Sequence, residues 1–378
     1  MRLVIARHAF GGIGDHISCL IGAWWLAKRT GRTLVIDWRG SRFTADASGR
    51  HNCFHDYYQP QEIIGGVPVI ADDRVANLEV PTPIFPEKWS PAILATTDHM
   101  KHTPAEIAAI NSLVNSDGDR SEPTVVLNQW VDPHPPRRVV RGLLEELKPI
   151  ESIGAEADRF WDEHIGHQPA IAIHVRHGNG ENIGLRAAYW LGPLALARQL
   201  FRNHAVDVHR PGLAGRFLDN MPDSLVGTPG QRPMERRFYG RIAAAFRALA
   251  RDAGLPEARP FLFTDAGQVA LGLRDYLPTL VERPKLQLQA GEGPLHQLDA
   301  AAVAQSEHGG IRNRGIDPAI SRDMFVELEL MRRCEGLVYM NSGFSIFLQR
   351  RLDESRIRLL QPGPVNRLVL KVIQRALR

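Results

Sequence analysis

Two short β-rich runs, "RLVIAR" (2–7) and "TLVIDW" (33–38), bracket a segment with the periodicity of a buried helix face. Ile17, Leu20, Ile21, Trp24 and Trp25 recur there at the i, i+3, i+4, i+7, i+8 spacing that lines up one stripe of an α-helix. Strand, glycine turn, helix, strand is a βαβ unit, and such units imply a parallel sheet. A Pro- and Asp-rich stretch from about 39 to 122 follows, with short apolar runs that fit no clear period. "PTVVLNQW" (123–130) reads as a further strand, and "VVRGLLEELKPI" and "AEADRFWDEHI" as helices after it.

The pattern then restarts. "AIAIHV" (170–175), "RPFLFTD" (259–265) and "LVYM" (337–340) read as strands. "GPLALARQLF", "ERRFYGRIAAAFRALARDAG", "AGQVALGLRDYL" and "SRDMFVELELMRRCEG" read as helices between them. Two successive arrays predict an α/β chain of two Rossmann-like, doubly wound domains facing across a cleft. The expected division is an N-terminal domain over 1–166, a C-terminal domain over 167–365 and a terminal amphipathic helix over 366–378. At 378 residues the chain is long enough for two such domains. Two Gly/Pro-rich stretches, 203–237 and 286–318, are too long for simple connections.

Composition excludes several classes. Hydrophobic residues make up 44% and charged residues 23% of the chain, which fits a folded protein. No apolar run reaches the roughly 18 residues a membrane span needs. The start "MRLVIARHAFGG" reads as a first strand, its apolar run being too short for a signal peptide. Cys19, Cys53 and Cys334 are scattered and odd in number, which points to reduced thiols and a cytoplasmic location. A net charge of +4 is compatible with an anionic small ligand and too mild to imply nucleic acid. "GGIGD" (11–15) does not satisfy GxGxxG, so a nicotinamide enzyme fits poorly. "DGD" (117–119) imitates a DxD metal motif but lies in a polar loop before a strand and reads as a turn; no metal site is expected.

Ligands of doubly wound sheets sit beyond the carboxyl ends of the strands. Three polar clusters fall there: "HVRHGNGE", "TDAG" and "MNSGFS". Arg176 suits a phosphate or pyrophosphate, because its planar fork binds two oxygens at once. His174, two residues earlier, shares its face of the strand. Glu181 can act as a base toward a hydroxyl. Read alone, this cluster is a salt bridge beside a satisfied histidine; three clusters on one rim favour a ligand site. Asp265 caps a helix, binds a ribose or aligns Arg176, with Thr264 in support, and the motif alone favours capping. Glu327 sits among the core residues Met324, Leu328 and Met331, where it is either a solvated carboxylate or a reader of guanine's donor edge. Ser342, Gly343 and Ser345 open a helix as a phosphate nest would.

These segments, "GxGD…AWWLAKRTGRTLVIDWRG", "IHVRHGNGE…AAYW", "FLFTD", "GPLH" and "VELELMRRCEGLVYMNSGFS", resemble the bacterial NodZ-type nodulation fucosyltransferases of glycosyltransferase family 23. The eukaryotic α-1,6-fucosyltransferases are distant relatives of that family, and the resemblance runs discontinuously to about residue 350. It implies a GT-B-type fold and metal-independent, inverting transfer of fucose from GDP-fucose to the 6-hydroxyl of a GlcNAc residue. The implied acceptor is a chitin-like oligosaccharide of the nodulation-factor type. GDP-fucose would be a substrate, and no cofactor is implied. Carried over by residue, Arg176, Glu181 and His177 are the implied catalytic groups, with Glu181 as base and Arg176 on the pyrophosphate. His174, Asn179, Thr264, Asp265, Glu327, Ser342, Gly343 and Ser345 join Arg176 as donor-binding residues. Tyr189, Gly12, Asp15, Trp38 and Arg39 are the implied acceptor wall. Where the eukaryotic relatives carry two adjacent arginines, this chain has Arg176–His177.

Two other functions compete with this one: a transferase of the same fold with another nucleotide sugar or a surface-polysaccharide acceptor, and a non-catalytic GDP-sugar or glycan-binding protein. The tail "NRLVLKVIQRALR" alternates an apolar stripe with a basic one, which suits docking across a domain or peripheral contact with a membrane face.

Overall fold

The computed structural model describes residues 1–7, 12–44, 46, 48–100, 102–131, 135–176, 233–265, 267–285, 304–305, 311–312, 317–340, 342–361, 365 and 367–369. The chain forms two compact units, and neither is continuous in sequence. The first comprises Met1–Gly166, Leu298–Arg333 and Ser342–Asp353; the second comprises His167–Gln297, Cys334–Asn341 and Glu354–Arg378.

The first unit carries strands β1 (Leu3–Arg7), β2 (Thr33–Asp37), β3 (Ile63–Ile64), β4 (Val67–Ile70), β5 (Ile84–Phe85) and β6 (Thr124–Leu127) in the order β3-β4-β2-β1-β6-β5. All pairs are parallel except β3 with β4. β1 and β6 are buried along their length, as strands covered on both faces must be. Helix α1 (Ile13–Thr30) makes the first crossover and buries Ile17, Leu20, Ile21 and Trp24. Trp25 lies at the margin of that face, under the Arg29 guanidinium. Gly31, at φ 63°, ends α1 in the left-handed conformation that glycine adopts without strain. Helices α2 (Pro91–Ala95), α3 (Pro104–Asn115), α4 (Arg137–Glu146) and α5 (Glu151–His164) complete the N-terminal segment.

The second unit is built on β7 (Ala170–Val175), β8 (Arg259–Thr264) and β9 (Val281–Glu282), with helices α6 (Pro233–Asp252) and α7 (Gly267–Arg274) between them. Ile171, Ile173, Val175 and Leu262 face a core with Phe238, Ile242, Phe246 and Leu249 of α6. Two short strands, β10 (Ala304–Gln305) and β11 (Ile311–Arg312), pair antiparallel. Helix α8 (Pro318–Arg333) packs in the first unit, where Phe325 stacks on Tyr57 at 3.8 Å and Arg333 pairs with Asp158 at 2.8 Å. The chain then supplies β12 (Gly336–Tyr339) to the second sheet, helix α9 (Ile346–Arg351) to the first unit, and β13 (Ile357–Leu359) to the second sheet. The second sheet runs β13-β12-β7-β8-β9 and is parallel throughout. Both expected parallel-sheet α/β arrays are therefore present. The terminal helix expected over 366–378 lies mostly outside the described residues; 365 and 367–369 are helical. No helix among the described residues is long and apolar enough to cross a membrane.

Candidate active site

In the second sheet β7 is laid down first, β8 and β9 add on one side, and β12 and β13 add on the other. The strand order therefore reverses between β7 and β12, and the carboxyl ends of these strands are where such a sheet binds ligands. The segment "HVR" leaves β7 at that point. His174 pairs in register with Phe263 and with Tyr339, and its carbonyl accepts from Met340 N at 3.2 Å. Ile173 and Val175 face the α6 core, so His174 and Arg176 alternate onto the other face of the strand.

Arg176 Nε lies 3.5 Å from Asp265 Oδ2, with only 11% and 17% of the two side chains exposed. Asp265 follows Thr264, the last residue of β8 and itself buried. The structure thus brings together His174, Arg176, Thr264 and Asp265. Asp265 stands beside Arg176 as its ion-pair partner at 3.5 Å. His177, Asn179, Glu181 and Tyr189 lie outside the described residues.

Glu327, Ser342, Gly343 and Ser345 belong to the first unit. Glu327 is buried in α8 at 4% exposure. Ser345 donates through Oγ to Ser342 O at 3.2 Å and accepts from Gln349 Nε2 at 2.8 Å. That hydroxyl is engaged in holding the turn at the start of α9, so Ser345 shapes the nest. Gly343 lies against the first turn of α1: a methyl placed on Gly14 would fall 2.6 Å from Gly343 Cα. Two glycine turns far apart in sequence thus touch through their backbones, and a side chain on Gly14 would force them apart.

Of the residues implied as an acceptor wall, Gly12, Asp15, Trp38 and Arg39 all lie among the described residues of the first unit. Asp15 Oδ2 accepts from Gly12 N at 2.8 Å, satisfying a backbone donor at the start of α1. Gly12 O in turn accepts from His16 Nδ1 at 3.0 Å. His16 is fully buried between Trp38 and Phe43, and burial lowers its pKa to about 3, so the ring is neutral. Trp38 is 1% exposed and packs edge-on against His16 and Phe54. Arg39 is 2% exposed and donates to Asp37 at 2.8 and 3.0 Å and to Leu94 O at 2.8 Å. Burial alone would raise the Asp37 carboxyl, but Arg7 and Arg39 outweigh it and hold the group below the usual range. Trp38 and Arg39 are therefore interior residues. The cavity beside them, about 40 Å³ and lined by Ile5, Val35, Asp37, Arg39 and Leu94, has room for a water and not for a sugar ring.

The "DGD" turn lies at the opposite end of the same sheet. Asp119 accepts from Arg32 at 2.8 and 3.2 Å and pairs with Arg2 at 2.6 Å, while Arg32 also donates to the carbonyls of Arg120, Glu122 and Pro123. Arg32 precedes β2 and Pro123 precedes β6, so these bonds staple the amino ends of the strands. Among the described residues, no group of three or more His, Cys, Asp or Glu is arranged to hold a metal ion.

Sequence reasoning passed over a second polar rim, at the carboxyl end of the first sheet. Arg7, Asp98, His99, Asn128 and Gln129 gather there, the first four of them buried. Arg7 donates to Leu94 O at 3.0 Å and to Thr96 O. The signal was the one used for "HVRHG": polar residues, "NQW", directly after an apolar strand.

Comparison with known proteins places this arrangement. Residues 1–213 match the family model described as Nodulation protein Z (NodZ). A Nodulation protein Z of Sinorhizobium fredii (strain NBRC 101917 / NGR234) is 35% identical over 376 residues, 99% of this chain and 97% of its own. The chain belongs to the NodZ family. A Nodulation protein Z of Bradyrhizobium diazoefficiens is likewise 35% identical, over 210 residues that span 55% of each chain. The fold of the NodZ family is also the fold found among solved structures. A crystal structure of NodZ alpha-1,6-fucosyltransferase soaked with GDP-fucose matches with a TM-score of 0.61 at 22% identity, over 97% of this chain and 96% of that one.

Proposed function

We propose that this chain transfers fucose from GDP-fucose, with inversion, to the 6-hydroxyl of a GlcNAc residue in a chitin-like oligosaccharide. The observation that carries the reading is Arg176, held by Asp265 at the point where the second sheet reverses its strand order, in a chain of the NodZ family. The acceptor oxygen attacks C1 of fucose, the bond from C1 to the β-phosphate oxygen breaks, and GDP leaves with the electron pair. Negative charge grows on the β-phosphate as that bond lengthens. A guanidinium already standing at the end of β7 stabilises this charge. His174, buried beside it, and Thr264 complete the floor of the donor site. The acceptor proton passes to a carboxylate, a role the family resemblance gives to Glu181. Protein groups carry the diphosphate charge in this reading, and the donor is a substrate with no further cofactor.

Titration calorimetry with GDP, GDP-fucose, UDP and ADP, in the presence of EDTA, tests the donor class. Micromolar binding of GDP and GDP-fucose that survives EDTA and is lost in Arg176→Ala is the expected result. Binding of none of them by the folded protein would sink the transferase reading. Transfer to chitin oligosaccharides, followed by mass spectrometry and linkage analysis of the product, tests the acceptor and separates an enzyme from a GDP-sugar-binding protein.

A further inference from the structure

The first sheet has its own point of strand reversal. From β1 the chain moves to β2 and β4 on one side, while β6 and β5 lie on the other, so the order reverses between β1 and β6. The carboxyl end of β1 leads into the Gly12–Gly14 turn of α1, and the carboxyl end of β6 leads into Asn128, Gln129 and Trp130. By the rule that located Arg176 in the second sheet, this is a ligand-binding crevice.

Gln129 stands at that place with a side chain the protein does not use. Its amide nitrogen and oxygen are both closed to water, and neither has a hydrogen-bond partner. Its neighbour Asn128 is engaged, donating through Nδ2 to Met100 O at 2.6 Å. Trp130, on the other side, lies against Gly343. The Gln129 residue as a whole is partly exposed, while its amide is enclosed. Folded proteins rarely leave a buried donor and a buried acceptor unsatisfied, and such groups mark positions completed by a water or a ligand.

We infer that Gln129 is a hydrogen-bonding residue for the acceptor saccharide. A neutral primary amide offers two donated and two accepted hydrogen bonds and no charge. That inventory complements hydroxyl and acetamido groups of a sugar and does little for a diphosphate. The inference rests on the transferase reading above and deepens it, by giving the acceptor a residue in the first unit.

The test uses Gln129→Met, which keeps the volume and removes the amide, with Gln129→Glu as the variant that retains an acceptor. GDP titration of the unmodified protein comes first; absence of GDP binding there overturns the transferase reading and this inference with it. With GDP binding intact, Gln129→Met is expected to raise the KM for a chitin oligosaccharide at least tenfold. The KM for GDP-fucose and the affinity for GDP should stay within twofold of the unmodified values. Gln129→Glu should recover part of the acceptor affinity. Thermal stability should hold or rise in Gln129→Met, since an orphaned amide is replaced by an apolar isostere. An unchanged acceptor KM in Gln129→Met would show that the amide holds a water only. A rise in donor KM without a rise in acceptor KM would assign it to the nucleotide sugar. Either result overturns the inference.

Discussion

The contact between Gly14 and Gly343 lends itself to a sharp perturbation. In Gly14→Ala the new methyl would sit 2.6 Å from Gly343 Cα and closer still to its carbonyl group. Carbon atoms pack at about 3.5–4.0 Å, so the two turns must part by about 1 Å. The obstructing atoms are all backbone of Gly343, in the turn that leads into α9, so no side chain can swing aside. Overpacking of this kind costs about 1–3 kcal/mol. Alanine's better helix propensity returns at most about 1 kcal/mol. The net expectation is a loss of about 1–2 kcal/mol from the first unit. Gly142→Ala is the matched control: it lies inside α4 with nothing within 4 Å of where its new methyl would lie, so it should gain about 0.4–1 kcal/mol. Urea unfolding followed by tryptophan fluorescence reads both, because Trp24 and Trp38 are buried in the first unit. The midpoints should move in opposite directions. An upward shift for Gly14→Ala equal to that of Gly142→Ala would refute the reasoning.

Three further outcomes follow from the same geometry. His16 is neutral in the folded state with a pKa of about 3, while the unfolded group titrates near its ordinary value of 6.5. Between those values the unfolded chain binds more protons, so stability should fall as pH drops from 6.5 toward 3, by up to about 1.4 kcal/mol per pH unit from this group. Denaturation of wild type and His16→Asn at pH 4 to 7 should show that slope reduced in the variant; parallel curves would rule it out. Arg32→Met removes the donors to Asp119 and four carbonyls and should cost on the order of 3 kcal/mol in a denaturant melt. Asp119→Asn, by contrast, should leave GDP binding in EDTA unchanged. Burial raises the thiols of Cys19 and Cys53 to about 12, and Cys334 is buried as well. Ellman's reagent should therefore react with these cysteines only after denaturant is added; fast labelling of the native protein would contradict their placement.

The long periodic segments were legible because burial on one helix face or both sheet faces leaves a repeat in the sequence. Ile17, Leu20, Ile21 and Trp24 announced α1, and "AIAIHV" announced β7 and the site at its end. The stretch 39–122 hid three of its strands because β3, β4 and β5 are two to four residues long, below the length at which alternation can be read. The burial of Trp38 and Arg39 was not legible, for a different reason. Nothing in their own segment marks them as interior; the positions of Asp37, Leu94, His16 and Phe54 do. Glu327 was legible as a carboxylate in a helix among core residues, but its burial and its place in the first unit depend on contacts such as that of Phe325 with Tyr57, far away in the chain. Contacts of that range leave no local periodicity to find.

The route of the backbone also governs how this protein can be divided. The chain enters the second unit after Gly166, returns to the first by Leu298, leaves it after Arg333, re-enters at Ser342 and departs again after Asp353. No single scission separates the two units, and residues 1–213, the stretch matched by the family model, contain neither of them whole. A fragment ending at 166 would lack α8, and with it the Phe325 ring that covers Tyr57, Tyr58, Phe43 and Trp38. Such a fragment would present a bare aromatic face to water and is expected to aggregate. Recombination between relatives, in nature or in the laboratory, must therefore exchange α8 and α9 together with the N-terminal segment if the progeny are to fold.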